Sequence, residues 1–133
     1  MQVACILTVY TMKTPKKILI IEDEKTLARA LELKLTLGGY EATLAFNGED
    51  GIKLLDKGSY DLILLDLIMP KMDGFTVLTI LKAKKIKTPV LVLTNLSQQN
   101  DIKHAKKFGA EEFFIKSNTP IGTIVNRVTE LLS

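Results

Sequence analysis

The chain has 133 residues, enough for one domain with one well-filled core and too few for two. Hydrophobic residues make up 47% and charged residues 25%, which is ordinary globular usage and excludes a disordered chain. The net charge is only +3, and no aromatic residues interleave with the lysine clusters at Lys16-Lys17, Lys82 to Lys87 and Lys103 to Lys107, which argues against direct binding of nucleic acid.

Residues 1–15 read as an N-terminal extension ahead of a domain at 16–133. Val3 to Tyr10 is apolar, but no positive charge precedes it and no clear small-residue cleavage site follows, so a secretory signal is a poor reading. Met12, just before Lys13-Thr14-Pro15, suggests a later start; an added strand or a docking segment stays open. Cys5 is the single cysteine, so no intrachain disulfide and no Cys/His metal spacing is available, and a reducing cytoplasm fits. No apolar run approaches the roughly twenty residues that a membrane span needs.

Ile18-Leu19-Ile20-Ile21 is the first of four short apolar runs, followed by Leu62-Ile63-Leu64-Leu65, Val90-Leu91-Val92-Leu93 and Phe113-Phe114-Ile115. Each is too short for a helix and lacks polar alternation, the pattern of parallel strands buried on both faces. Between the first two, Thr26 to Leu37 carries Leu27, Leu31 and Leu35 on one helical face and stops at Gly38-Gly39. Glu41 to Phe46 is a more polar strand, expected at the sheet edge. Glu49 to Lys57 is a short helix after Asn47-Gly48. Phe75 to Lys85 is a helix after the Asp73-Gly74 turn. Ser97 can cap a helix running to about Phe108, with Gly109 as its stop. In the last helix Thr119 is the expected N-cap and Pro120 the first helical residue, followed by a stripe of Ile121, Ile124, Val125, Val128, Leu131 and Leu132. Five strands alternating with five helices predict an α/β fold, with a doubly wound parallel sheet and right-handed crossovers. The sequence stops as this helix closes, and no output domain is expected to follow.

The chemistry collects after the buried strands. Glu22-Asp23-Glu24 follows the first, Asp66 the second run, Thr94 the third and Lys116 the fourth. In an open parallel sheet these positions share the carboxyl edge, where ligands bind. Clustered carboxylates repel unless they share protons or bind a cation. An oxygen-rich set without cysteine or histidine favours a hard cation such as Mg²⁺, which takes one or two carboxylates and leaves positions for phosphate oxygens. Aspartate is an established nucleophile for aspartyl-phosphate formation, and a lysine at the same edge supplies a second counter-charge.

Asp66-Leu67-Ile68-Met69-Pro70-Lys71-Met72-Asp73-Gly74 resembles the phosphoacceptor loop of CheY-like receiver domains of two-component response regulators. Ile18 to Glu24, Leu93-Thr94 and Phe113 to Lys116 are similar to that family's other motifs, and the resemblance runs from about Lys17 to Ser133. It implies a flavodoxin-like five-stranded sheet of order 2-1-3-4-5. It implies Asp66 as phosphoacceptor and metal ligand, Asp23 as the second carboxylate ligand, Glu22 acting through water, and the backbone carbonyl of Ile68 as a third ligand, all to Mg²⁺. Thr94 and Lys116 would each hold a phosphoryl oxygen, and Phe113 would be the aromatic that changes rotamer as Thr94 moves. The implied partners are a histidine kinase or phosphotransfer protein upstream and a downstream protein bound through the face from Gln98 to Leu132. The implied assembly is a monomer or a phosphorylation-dependent dimer, and self-dephosphorylation is the most that is expected by way of enzymatic activity.

Departures from the family pattern stand out. Ser117 follows Lys116, where many receivers have a proline after a cis peptide bond. A non-proline cis bond costs about 2.5–4 kcal/mol, so a trans bond is expected here. Asn95 follows Thr94, where a small residue is common, and its side chain is expected to crowd the phosphoryl site. Ile68 and Leu96 are apolar where the attacking water would pass, which predicts a long-lived phosphoryl-aspartate. Among other functions, a degenerate receiver is disfavoured by the complete set of Asp23, Asp66, Thr94 and Lys116. An aspartate-nucleophile phosphatase is disfavoured by Ile68 where its acid would stand, and a flavin carrier by the acidic Glu22-Asp23-Glu24.

Overall fold

A computed structural model describes residues 14–95, 103 and 105–133. In chain order the elements are β1 (Lys17–Ile21), α1 (Lys25–Leu37), β2 (Glu41–Ala45), α2 (Gly48–Lys57), β3 (Leu62–Asp66), α3 (Gly74–Ala83) and β4 (Val90–Thr94). A fourth helix, α4, is described at 103 and 105–107. Then follow β5 (Glu112–Ile115), a 3-10 turn (Lys116–Asn118) and α5 (Ile121–Leu132). The five strands pair in parallel in the order β2-β1-β3-β4-β5.

The strand alternation divides the core into two layers. Leu19, Ile21, Ile63, Leu65, Val90 and Val92 face one way, against Val77, Leu78 and Leu81 of α3 and Ala105 of α4. Ile18, Ile20, Leu62, Leu64, Leu91 and Leu93 face the other, against Leu31 and Leu35 of α1 and Ile124 and Val128 of α5. Both faces of β1, β3 and β4 are therefore dry, which is why these strands need unbroken apolar runs. The polar strand β2 takes an edge as expected. β5 departs from the expectation of two-sided burial: every residue of it is half-buried, because it forms the opposite edge.

Loop chemistry fixes the helix ends. Asn47 caps α2, accepting from the Asp50 N–H at 2.8 Å and donating to the Asp50 carboxylate at 3.0 Å. Asp73 caps α3, accepting from the Thr76 N–H at 2.8 Å. Gly39 (φ 94°) and Gly109 (φ 100°) supply the left-handed residues after α1 and α4. Helix α3 ends at Ala83 rather than Lys85, with no glycine to mark it. Lys85 itself turns left-handed (φ 58°) and lets the Ile86 N–H reach the Leu81 carbonyl at 3.0 Å. The start of α5 is shifted by one residue: Pro120, not Thr119, is the cap, with an extended ψ of 147°, and its carbonyl accepts from the Thr123 N–H at 3.0 Å. Residues 1–13, Leu96, the cap expected at Ser97 and the start of the Gln98 to Leu132 face lie outside the described residues.

Candidate functional site

Strand register sets the frame of the site, and the long Lys116 side chain, reaching across from β5, completes it. Ile21 pairs with Leu65, Asp66 with Leu93, and Thr94 with Ile115. The next residues, Glu22 and Lys116, therefore leave the sheet on either side of Asp66. Gly74 permits the loop after Asp66 to fold back: a Cβ there would fall on the Asp66 carbonyl oxygen and 2.6 Å from Leu67 Cα.

Carboxylate oxygens of Glu22, Asp23 and Asp66 lie within 4.8 Å of one another. Glu22 and Asp66 are almost fully buried, at 1% and 3% exposure. The Lys116 ammonium is shared among three acids. It lies 2.6 Å from Glu22 Oε1, 3.0 Å from Asp66 Oδ2 and 3.1 Å from Glu24 Oε1. The Glu22 contact is an ion pair whose angles fall outside hydrogen-bond geometry, so Oε1 has no hydrogen-bond partner. The other oxygen, Oε2, accepts from the Glu24 N–H at 3.0 Å. Asp66 Oδ1 accepts from the Ile68 N–H at 3.2 Å.

The charges respond to burial. Burial pushes the Glu22 carboxyl up from 4.5 to about 7 against the pull of Lys116 and the Glu24 N–H, with the Asp66 charge adding to the rise. Asp66 is raised too, chiefly by burial, with Lys116 and the Ile68 N–H opposing and Asp23 adding. Burial works against the charge on Lys116, but the adjoining carboxylates of Glu22 and Asp66 outweigh it and hold the ammonium above its ordinary 10.5.

An open cleft of about 250 Å³ lies over these groups, lined by Asp23, Glu24, Asp66, Ile68, Asn95 and Lys116. Asp23 does not cap α1; Glu24 occupies that position and makes no capping bond with its side chain. Ile68 is 54% exposed. Thr94 is fully buried at the end of β4. Phe113 is half-buried against the core layer that α3 and α4 cover. No cis peptide bond occurs among the described residues, so Lys116-Ser117 is trans as expected.

The expected residues Glu22, Asp23, Asp66 and Lys116 are thus brought together, with Thr94 at the neighbouring strand end. Two contributions escaped the sequence. Glu24 was read only as part of an acidic run, yet it is a direct partner of Lys116. Asn95 lines the cleft, where its side chain is expected to crowd the phosphoryl group, and its Oδ1 also accepts from the Ser117 N–H at 3.2 Å. The i, i+2 spacing of Glu22 and Glu24 at a strand end is the one available signal for the first.

The donor set fits a hard divalent cation. It is all oxygen, and three carboxylates converge. Receiver domains bind Mg²⁺ at an acidic pocket of this kind. No helix among the described residues is long and apolar enough to cross a membrane.

Comparison with known proteins agrees with the geometry. The chain is 38% identical over 100 residues to the transcriptional regulatory protein DltR of Streptococcus agalactiae, covering 75% of this chain and 45% of that protein. It is 37% identical over 100 residues to the cell cycle response regulator CtrA of Brucella ovis, covering 75% and 43%. The chain spans less than half the length of these relatives. Among solved structures, the receiver domain of the Francisella response regulator 1452 superposes with a TM-score of 0.82 at 31% identity, covering 87% of this chain and 95% of that one. The response regulator TrrA of Thermotoga maritima, solved in complex with Mg(2+)-BeF, gives 0.76 at 31% identity, covering 87% and 98%. Vibrio cholerae CheY4, at 24% identity, covers 89% of this chain and 99% of that one and shares the fold with a TM-score of 0.81. Residues 18–129 match the family described as the response regulator receiver domain, and the chain belongs to that family of CheY-like signalling domains of two-component systems.

Proposed function

We propose that Asp66 accepts a phosphoryl group from a phosphorylated histidine of a kinase or phosphotransfer protein, and that the charge so placed changes the surface offered to a downstream partner. One observation carries this reading: the Asp66 carboxylate lines an open cleft, 3.0 Å from the Lys116 ammonium and with carboxylate oxygens of Glu22 and Asp23 within 4.8 Å. An aspartate that was merely structural would not need both a cation and two further acids around it.

In the transfer, an Asp66 carboxylate oxygen attacks phosphorus, the P–N bond of the phosphohistidine breaks, and its electron pair stays on the imidazole nitrogen, which takes up a proton. Asp23 and Asp66, with the Ile68 backbone carbonyl and with Glu22 through water, would hold a Mg²⁺ ion, which offsets the charge gathered by the acids and the incoming phosphoryl group. Lys116 leaves part of its acid cluster to pair with a phosphoryl oxygen. Thr94 donates its hydroxyl to another. Asp66 holds its position because the Ile68 N–H anchors Oδ1 and strand β3 is buried on both faces. The shift of Thr94 would reach Phe113 on the neighbouring strand, and from there the face formed by α4, β5 and α5, as a shift between two populated arrangements. A mutual face of that kind also suits a dimer formed on phosphorylation.

Intact-mass measurement after treatment with acetyl phosphate, with and without Mg²⁺, tests the reading. The wild type gains one phosphoryl mass only with Mg²⁺, and Asp66→Asn gains none. A phosphoryl group on Asp66→Asn would move the acceptor to another residue.

A further inference from the structure

The first N–H groups of a helical turn have no partner inside it. Ser117 lies in the 3-10 turn Lys116–Asn118, and its N–H is taken instead by Asn95 Oδ1 from across the sheet, at 3.2 Å. Where proline followed the lysine there would be no N–H to give, and an alanine or glycine after the threonine would offer no side-chain acceptor. The two departures at Asn95 and Ser117 therefore satisfy each other.

Their placement gives the bond a consequence. Thr94 pairs with Ile115 in the β4–β5 ladder, and Asn95 bonds to Ser117 immediately beyond. The backbone of Lys116 is thereby fixed to the Thr94 segment on both sides, by the ladder at Ile115 and by the amide at Ser117. We propose that Asn95 is a positioning residue whose side chain ties the loop after Thr94 to the turn that starts at Lys116, so that the two side chains that hold the phosphoryl group keep their spacing and move as one unit. This rests on the reading of Asp66 as phosphoacceptor. Asn95 touches neither Asp66 nor its acids in this role; it acts through the placement of Lys116. Movement at Thr94 then reaches the start of α5 directly, beside the route through Phe113.

The test uses the whole chain and three readouts. In the wild type the Ser117 amide proton resonance is shifted downfield by its bond; Asn95→Leu moves it upfield, and Asn95→Asp, which keeps an oxygen acceptor, restores it. Loading from acetyl phosphate slows about two- to tenfold in Asn95→Leu, the range that loss of one hydrogen bond in the transition state produces. Mg²⁺ affinity by calorimetry does not fall, because no metal ligand is removed and a less firmly held Lys116 competes less for the acids. Ser117→Pro slows loading to a similar degree, and the double variant is no slower than the slower single one. Single effects that multiply in the double variant, a Ser117 resonance that ignores Asn95→Leu, or a Mg²⁺ affinity that falls in step with the rate would each overturn the tether while leaving the acceptor in place. A wild type that gains no phosphoryl mass would overturn the acceptor reading and the tether's role with it.

Discussion

Raising the pH from 5 to 8 in the absence of divalent cations should weaken the fold. The Glu22 carboxyl is pushed from its ordinary 4.5 to about 7 by burial, so between these values the native site keeps a proton that the unfolded chain has released. A group that binds more protons in the native state makes stability fall as pH rises, and the fall ends once the folded value is passed. At about 1.4 kcal/mol per pH unit the loss through Glu22 amounts to about 3 kcal/mol, complete near pH 8. Glu22 is 1% exposed, so solvent screening does little to reduce it. Asp66 is shifted in the same direction, so its contribution has the same sign. Lys116 contributes nothing across this window, since its raised value makes its stabilisation complete below 10.5 and lost only above that.

The measurement is a urea titration at each pH in the presence of a chelator. With an m-value of about 1–3 kcal/mol per molar, the midpoint should drop by roughly 1–3 M between pH 5 and 8. Repeated in saturating Mg²⁺, the drop should largely vanish, because a bound divalent cation favours the ionised acids. Mg²⁺ affinity should correspondingly strengthen with pH, by up to about tenfold per unit for each proton displaced. A midpoint that stays level or climbs in the chelated protein would refute the claim that burial, rather than Lys116, governs Glu22.

Other perturbations follow from the same geometry. Lys116→Met removes the cation shared by Glu22, Glu24 and Asp66, and chemical denaturation in chelator at pH 8 should show a loss of about 3 kcal/mol that largely recovers at pH 5, where the buried carboxyls protonate. Gly74→Ala drives a Cβ into the backbone of Asp66 and Leu67, and should cost about 1–3 kcal/mol in the same assay together with slower loading of Asp66. Ile68 lines the cleft with an apolar side chain, so the phosphoryl-aspartate should be long-lived, and Ile68→Asn should shorten its lifetime several-fold in a dephosphorylation time course.

The sequence displayed most of what backbone patterning controls. Ile18 to Ile21, Leu62 to Leu65 and Val90 to Leu93 could be read as buried strands because two-sided burial leaves no room for a polar residue, and each is buried along its apolar run. Glu22, Asp66 and Thr94, which follow these runs, share one edge because the strands run parallel. What failed were features with no local mark. The half-burial of β5 depends on its being the last strand of the sheet, and Phe113-Phe114-Ile115 looks no different from a central run. The end of α3 rests on Lys85 taking a left-handed conformation that glycine ordinarily signals. At Pro120, sequence preference allows either the cap or the first helical position, and its extended ψ decides for the cap. Glu24 and Asn95 found partners 92 and 22 residues away, and no spacing rule connects such pairs before the sheet is built.

That division has a physical root in how the site is held. Its acids are fixed at strand ends whose position is dictated by two dry core layers, so they meet whether or not their charges agree. Lys116 is one ammonium among Glu22, Glu24 and Asp66, with Asp23 beside them, and full ionisation leaves excess negative charge that burial makes expensive. The core supplies the stability that this arrangement gives up. A site that is short of positive charge at rest is one whose equilibrium a divalent cation can shift strongly, because the binding energy includes relief of repulsion that already exists. Removing that repulsion by neutral substitution at the acids would leave a fold equally well packed but with less to gain from a cation.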